Sequence, residues 1–141
     1  SKVSDQVFNA ADAVFVPVIP THLSLRSFEQ TARYFKHQDL ALERLHPFFS
    51  MVDRRRGLHR DWLDMPPSSL VNLLDTYIPY STVVERMGQH QGPVETFAPT
   101  NPVSEAYREL WAEILDRVRY RGGSARPSRA NGWDQFSWDY R

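Results

Sequence analysis

The side chains with the clearest chemical meaning in this sequence are arginines. Fifteen of its 17 basic residues are arginine, and a dense cluster, Arg54–Arg56 with Arg60, follows an apolar run. A guanidinium makes forked contacts with phosphate or carboxylate oxygens. The cluster therefore indicates contact with phosphates or with a DNA backbone. The alternative is a solvated turn that Asp53, Asp61 and Asp64 neutralise.

No catalytic residue is predicted from motifs. The sequence contains no Gly-x-x-x-x-Gly-Lys-Ser/Thr loop, no Gly-x-Gly-x-x-Gly fingerprint and no Gly-x-Ser-x-Gly elbow. The five histidines lack His-Glu-x-x-His spacing, and a chain without cysteine has no thiolate ligand, disulfide or cysteine nucleophile. No metal site is therefore predicted. Asp61 and Asp64 are interpreted as an exposed acidic pair rather than as a catalytic acid and base.

A second basic stretch runs from Arg117 to Arg129 without an acidic residue, and four aromatic side chains follow between Trp133 and Tyr140. Glycine, serine and proline in this region predict a flexible tail over residues 121–141. Such basic and aromatic side chains can stack on bases or insert at a membrane surface. The preferred interpretation is a terminus whose cations favour the end of the preceding helix.

Length and composition indicate one globular domain. The chain has 141 residues, 41% of them hydrophobic, and no net charge, so no global field attracts nucleic acid or membrane. No apolar run is long enough to span a bilayer, and residues 1–6 do not resemble a signal peptide. We therefore expect a cytoplasmic protein without membrane attachment. The first residue, Ser1, is consistent with a fragment or a processed chain.

Three strands are predicted. The apolar run Ala13–Ile19 suits a strand of a parallel sheet, although Pro17 favours an edge or a strand end. The second half of the run Leu45–Val52 predicts another strand, and Thr76–Pro79 predicts a short third one. Helical segments between them imply parallel crossovers and an α/β fold. Three strands make a thin sheet, which further strands from missing sequence or a partner would cover better.

The helical segments are marked by apolar spacing and breakers. A helix capped by Ser24 is predicted to extend past Phe35. Leu58–Leu74 predicts a helix interrupted at Pro66–Pro67, with Ser68 or Ser69 capping a restart. A short helix over Ser81–Met87 and a loop over Gly88–Thr100 follow.

The last helix has the strongest signals. Asn101 is predicted to cap it, with Pro102 at its first position. One apolar stripe is expected to face the core. It comprises Val103, Ala106, Tyr107, Leu110, Trp111, Ile114, Leu115 and Val118.

Five motifs in order resemble those of one family. Ala10–Thr21 resembles the segment after the Walker B strand in ParA/MinD-type ATPases, which are P-loop proteins with a deviant Walker A motif. Phe48–Arg55 resembles the family's strand ending in Thr-Met-x-Asp-x-Arg, and Ile78–Ser81 resembles its Ile-Pro-Arg motif. His90–Val94 and Phe97–Tyr107 are similar to its last two motifs, the second of which opens the final helix.

The resemblance extends over about residues 5–118 and implies a partial doubly wound P-loop fold, with helices on both faces of a parallel sheet. Residues 1–120 would form the C-terminal half of this domain. The family's phosphate-binding lysines and magnesium ligand precede the first match. The complete protein is expected to bind ATP and Mg²⁺ and to form an ATP-dependent homodimer. It would position plasmids, chromosomes or other cargo, while a partner protein stimulates hydrolysis. This chain alone is not expected to hydrolyse ATP.

The resemblance also implies which residues border the nucleotide. Ligands of open α/β sheets lie beyond the carboxyl ends of the strands. Ser50, Asp53, Pro79, Tyr80 and Ser81 end two such strands and are therefore the candidates for the base side of the pocket. The alternative is that Pro79 merely terminates a strand.

DNA-binding members of the family use arginines in two of these motifs. The first matches Arg55, whereas Val83 and Tyr80 stand where the family has arginines, and Arg86 is a possible substitute. The DNA-contact candidates are Arg54, Arg55, Arg56, Arg60 and Arg86. Two alternatives to the ATPase are a non-enzymatic module that binds a partner and a basic nucleic-acid-binding domain.

Overall fold

A computed structural model describes residues 2–119 of the chain, so the tail predicted over 121–141 lies outside the described residues. Strands β1, Val14–Val18, and β2, Leu45–Phe49, pair in parallel. Helix α2, His22–His37, connects them. This βαβ unit confirms the prediction of an α/β fold with a parallel pair of strands.

The third predicted strand is reduced to one parallel bridge between Val52 and Pro79. The amide of Ile78 donates to Phe49 O at 2.9 Å, and the amide of Tyr80 donates to Val52 O at 3.0 Å. The prediction of a strand over Thr76–Pro79 is therefore wrong in extent. Its first amide, that of Thr76, donates to a side chain of the last helix rather than to the sheet.

The register explains why each strand tolerates a proline. Backbone groups of successive strand residues point to opposite sides. Ser50 N donates to Val18 O at 3.0 Å, so Val18 faces β2 and Pro17 faces the other way, where its missing N–H leaves the pairing intact. Pro47 likewise faces away from β1, and its carbonyl accepts the amide of Leu74 at 2.9 Å. Within residues 2–119, β1 is an edge strand, as Pro17 indicated.

Strand β2 occupies the first part of its apolar run, so the prediction that the second half forms the strand is wrong. Met51 has φ 54, a left-handed conformation that ends regular extended pairing before Val52. An early helix, α1 at Lys2–Ala10, was not predicted. The ring of Phe8 packs against Tyr34 at 5.8 Å and Phe35 at 5.4 Å between centroids, which fixes α1 against α2.

Helix α2 starts two residues before its predicted cap. Thr21 is the N-cap and its Oγ1 accepts from the amide of Ser24 at 3.2 Å. Ser24 Oγ accepts from Ile19 N at 2.9 Å, so this serine joins the end of β1 to the first turn of α2. The prediction of Ser24 as the cap is wrong because a better-placed hydroxyl lies three residues earlier.

Helix α3, Gly57–Asp64, ends before Pro66–Pro67, as predicted. The predicted helical restart is wrong. Ser69 Oγ donates to the carboxylate of Glu29 at 2.9 Å instead of capping a helix, and Asn72 has φ 56, which an α-helix excludes.

Short helices follow the bridge. The short helix predicted from Ser81 appears as α4, Thr82–Glu85, whose N-cap is Ser81. The predicted loop over Gly88–Thr100 is wrong in part, because α5, Met87–His90, and α6, Val94–Phe97, lie within or across it. Four-residue helices carry too little apolar period to be recognised in a sequence.

Apolar side chains cover both faces of the sheet. One cluster includes Val18, Phe28, Phe35, Leu45 and Phe49, and packs α2 and α3 on one face. The second cluster contains Leu74, Ile78, Val94, Val103 and Leu110, with Phe15 and Phe48 packed against it. Side chains of adjacent strand residues point to opposite faces, so the two clusters lie on opposite sides of the sheet.

Helix α7, Pro102–Arg119, covers the second face. Asn101 Oδ1 accepts from Val103 N at 3.0 Å, so the predicted cap is confirmed. Leu110 is 6% exposed, but Trp111 is 60% exposed and Val118 is 45% exposed. The predicted apolar stripe is therefore too wide, and Trp111 and Val118 do not belong to the core.

Truncation of Leu110 is expected to lower the free energy of unfolding much more than truncation of Trp111. Leu110→Ala leaves a cavity in the second cluster and should cost about 2–5 kcal/mol. Trp111→Ala removes a mostly exposed side chain and should change the value by about 0.5 kcal/mol or less. Urea unfolding followed by circular dichroism measures both variants. An equal loss in the two would contradict this placement of α7.

Candidate functional site

The bridge brings the two predicted strand-end segments together. Ser50 and Asp53 flank Val52, whose backbone bonds to both Ile78 and Tyr80. The five base-side candidates, Ser50, Asp53, Pro79, Tyr80 and Ser81, therefore lie in two adjacent segments at one edge of the sheet. This edge is the carboxyl end of the parallel strands, where ligands of α/β proteins bind.

Asp53 is committed to an arginine beside it. Its two carboxylate oxygens accept from Arg55 Nε and Nη2, both at 2.9 Å, in a forked ion pair. Hydrogen bonds from Arg55 lower the pKa of Asp53 to about 2, and the carboxylate in turn raises the pKa of Arg55. The Asp53 side chain is 17% exposed and that of Arg55 is 83% exposed, so the guanidinium remains open to solvent.

The other predicted arginines have different surroundings. Arg56 Nε lies 3.9 Å from Asp53 Oδ2, which is a weak contact, and its side chain is 72% exposed. Arg60 Nη1 donates to the carbonyl of Arg54 at 2.9 Å and so closes the turn before α3. Arg86 lies elsewhere, at the C-terminal end of α4. Arg54–Arg56 thus form an exposed basic turn whose charge Asp53 offsets in part.

A histidine orients the turn and was missed in the sequence. The amide of Asp53 donates to His59 Nδ1 at 2.9 Å, and His59 is 5% exposed. This bond requires the neutral imidazole to present Nδ1 as an acceptor. A spacing of six residues between Asp53 and His59 carries no recognisable sequence signal.

The side chains at this edge are suited to binding rather than to catalysis. Ser81 Oγ accepts from Val83 N at 3.2 Å as a helix cap, and Asp53 is held by Arg55. Tyr80 is 45% exposed and presents its ring to solvent, while Pro79 is half-buried beside it. No nucleophile and general base stand within hydrogen-bond reach in this set.

A neighbouring surface depression, which we call the acidic cleft, has a volume of about 480 Å³. Its walls are the segment before the bridge and the first turns of α7. It is lined by Asp75, Thr76, Tyr77, Pro79, Pro102, Glu105, Ala106 and Glu109. Only Pro79 of the predicted site residues lines it, and its three carboxylate residues disfavour a polyphosphate. The sequence signal for this cleft was missed because its acidic residues come from two distant segments.

Two charged side chains of α7 hold the segment that leads into the bridge. Glu113 Oε2 accepts from Asp75 N and Glu113 Oε1 accepts from Thr76 N, both at 2.8 Å. Arg117 Nη2 donates to Leu73 O at 2.9 Å, and Arg117 Nη1 donates to the carbonyl of Asn72. We call this set of bonds the α7 clamp. It places Pro79 and Tyr80 relative to the sheet.

The described part of the chain, residues 2–119, contains no group of three or more histidine, aspartate or glutamate side chains that could hold a metal ion. None of its helices combines the length and the apolar character needed to cross a membrane. Comparison of the chain with protein-family models, with curated proteins and with solved structures finds no match.

The ion pair of Asp53 predicts an acid-sensitive contribution to stability. The folded-state pKa is about 2, below a reference value of about 3.9. Ionised Asp53 therefore favours the folded state above about pH 4, and this contribution is lost as the pH falls through about 2. Asp53→Asn should lower the free energy of unfolding at pH 7, and its difference from wild type should shrink between these pH values.

Urea unfolding at a series of pH values measures this difference. Asp61→Asn is the matched control, because Asp61 is an exposed carboxylate of α3 in the same region. It should show a smaller difference at pH 7. A difference for Asp53→Asn that does not change with pH would contradict the role of its charge.

Proposed function

We propose that this chain is the C-terminal part of a ParA-like, cytoplasmic ATPase that positions DNA or other cargo through an ATP-dependent dimer switch. In the complete protein, the part of the domain that precedes residue 5 would hold the triphosphate and Mg²⁺. The residues described above would form the base side of that pocket. The bound nucleotide would supply the energy of the switch, and this chain would supply position and selectivity.

The observation that carries the proposal is the bridge between Val52 and Pro79. The family resemblance assigns Phe48–Arg55 and Ile78–Ser81 to one nucleotide edge, although about 25 residues separate them in the sequence. The bridge places both at the carboxyl ends of parallel strands. That is the position at which α/β proteins bind nucleotides.

The outer edge of β1 offers a place for the rest of the sheet. In residues 2–119, β1 pairs with β2 alone, and two strands are too few for a parallel sheet to stand by itself. Phe15 and Pro17 face outward, so the outer edge presents two carbonyls and one amide to a further strand. Sequence carrying the phosphate loop would complete the sheet there.

Recognition of the base would depend on the backbone more than on side chains. The Asp53 carboxylate and the Ser81 hydroxyl are already used within the chain. Pro79 and the ring of Tyr80 supply apolar contact area, and backbone groups that follow the bridge can distinguish the hydrogen-bonding edge of adenine. Phosphoryl transfer needs charge neutralisation at the phosphates, so no residue described here is assigned to catalysis.

Nucleotide binding tests this proposal directly. We expect negligible affinity of this chain for Mg-ATP and measurable affinity of a version extended upstream to include the phosphate loop. Isothermal titration calorimetry on both proteins gives the comparison. The extended protein with its loop lysine replaced by alanine is the control and should lose binding. Tight Mg-ATP binding by the short chain, or no binding by the extended one, would overturn the proposal.

A DNA-binding surface at Arg54–Arg56 is a second candidate function, favoured by the exposure of the Arg55 and Arg56 side chains, 83% and 72%. Backbone contacts of this kind do not require a nucleotide. Arg55 already pairs with Asp53, so Arg54 and Arg56 carry the greater share of the unbalanced charge in this turn.

Arg54→Ala combined with Arg56→Ala is expected to weaken binding to duplex DNA and to reduce the slope of log affinity against log salt by about 2. Fluorescence anisotropy at several salt concentrations measures the slope. The control pair is Arg26→Ala with Lys36→Ala, two exposed cations of α2. Equal effects of both pairs, or none, would rule out a specific DNA surface at this turn.

A further inference from the structure

We propose that the acidic cleft binds the arginine-rich segment Arg121–Arg129 of the same chain, which lies outside the described residues. The cleft lies between the segment 75–79 and the first turns of α7. The inference concerns an interaction surface that the proposed ATPase function does not require.

The carboxylates of the cleft lack cationic partners nearby. Glu105 and Glu109 are exposed and one helical turn apart, so their charges repel each other. Within residues 2–119 neither forms an ion pair. The arginine between them in the sequence, Arg108, turns to Glu95 at 3.2 Å and to the carbonyl of Pro99. A cation from elsewhere would remove this repulsion.

The floor of the cleft suits a guanidinium. Tyr77, Pro79 and Ala106 line it and are all half-buried, so they offer apolar surface beneath the ring of carboxylates. Arginine can lie flat on an aromatic ring while its N–H groups reach carboxylates at the rim. A lysine would gain less here, because its ammonium does not stack in this way.

The charge of the segment complements the cleft. Arg121, Arg126 and Arg129 occur without an acidic residue until Asp134. The described part of the chain has more acidic than basic residues, whereas residues 120–141 contain four arginines and two aspartates. The chain has no net charge only because these two parts offset each other.

The segment is also long enough to return to the cleft. Glu109 lies ten residues before Arg119 in α7, which is about 15 Å along the helix axis. The seven residues 120–126 span up to about 23 Å when extended. Arg126 can therefore reach Glu109, and Arg129 can continue to Glu105. Attachment to the same chain gives the segment a high effective concentration at the cleft.

A spin label in the full-length chain tests this docking. Because the chain has no cysteine, Ser128→Cys allows a nitroxide to be attached at one site. We expect loss of amide peak intensity at Thr76, Tyr77 and Ala106 in the oxidised relative to the reduced sample. Added salt should restore these intensities, since exposed ion pairs are screened.

Charge reversal provides the decisive comparison. Glu105→Lys with Glu109→Lys should restore the cleft intensities, whereas Asp61→Lys with Asp64→Lys on α3 should leave the loss unchanged. If the lysine variant of α7 does not fold, Glu105→Gln with Glu109→Gln serves the same purpose. The proposal is overturned if no loss occurs at the cleft, if the loss lies instead around Trp111, or if charge reversal at the cleft does not alter it.

Discussion

The α7 clamp is the interaction on which the candidate site depends. The segment after Asn72 runs beside β2 without forming a regular strand, and its backbone groups still need partners. Glu113 accepts the amides of Asp75 and Thr76, while Arg117 donates to the two preceding carbonyls. Hydrogen bonds to charged groups contribute about 1.5–3 kcal/mol each. Side chains of a helix therefore replace the ladder that a longer third strand would have provided.

This arrangement connects the two faces of the sheet to its carboxyl edge. The core of the second face holds α7 through Val103 and Leu110, and α7 holds the segment that ends in the bridge. On the other face, α2 and α3 position the turn that carries Asp53 and the arginines. The bridge between Val52 and Pro79 is thus the point at which both cores act on one surface. Its residues are oriented by packing that lies behind them.

The accuracy of the sequence predictions varies with the reach of the interactions involved. Strand β1, the break at Pro66–Pro67 and the cap at Asn101 depend on neighbouring residues, and these predictions are confirmed. Ser69 was predicted as a cap, but Glu29, 40 residues away, takes its hydroxyl. Trp111 follows the helical period and is still mostly exposed, because the width of the buried stripe depends on what packs against it. The resemblance to ParA-like ATPases stays a prediction.

By itself, the sequence determined the α/β class, the parallel βαβ unit, the position of the last helix and the basic turn at Arg54–Arg56, because apolar period, proline and capping residues act locally. Tertiary structure alone decided that the third strand shrinks to a bridge, that Arg55 is neutralised by Asp53, and that carboxylates from Asp75 and α7 line one cleft. Those outcomes depend on the distance and direction of side chains from separate segments, which spacing along a chain does not contain.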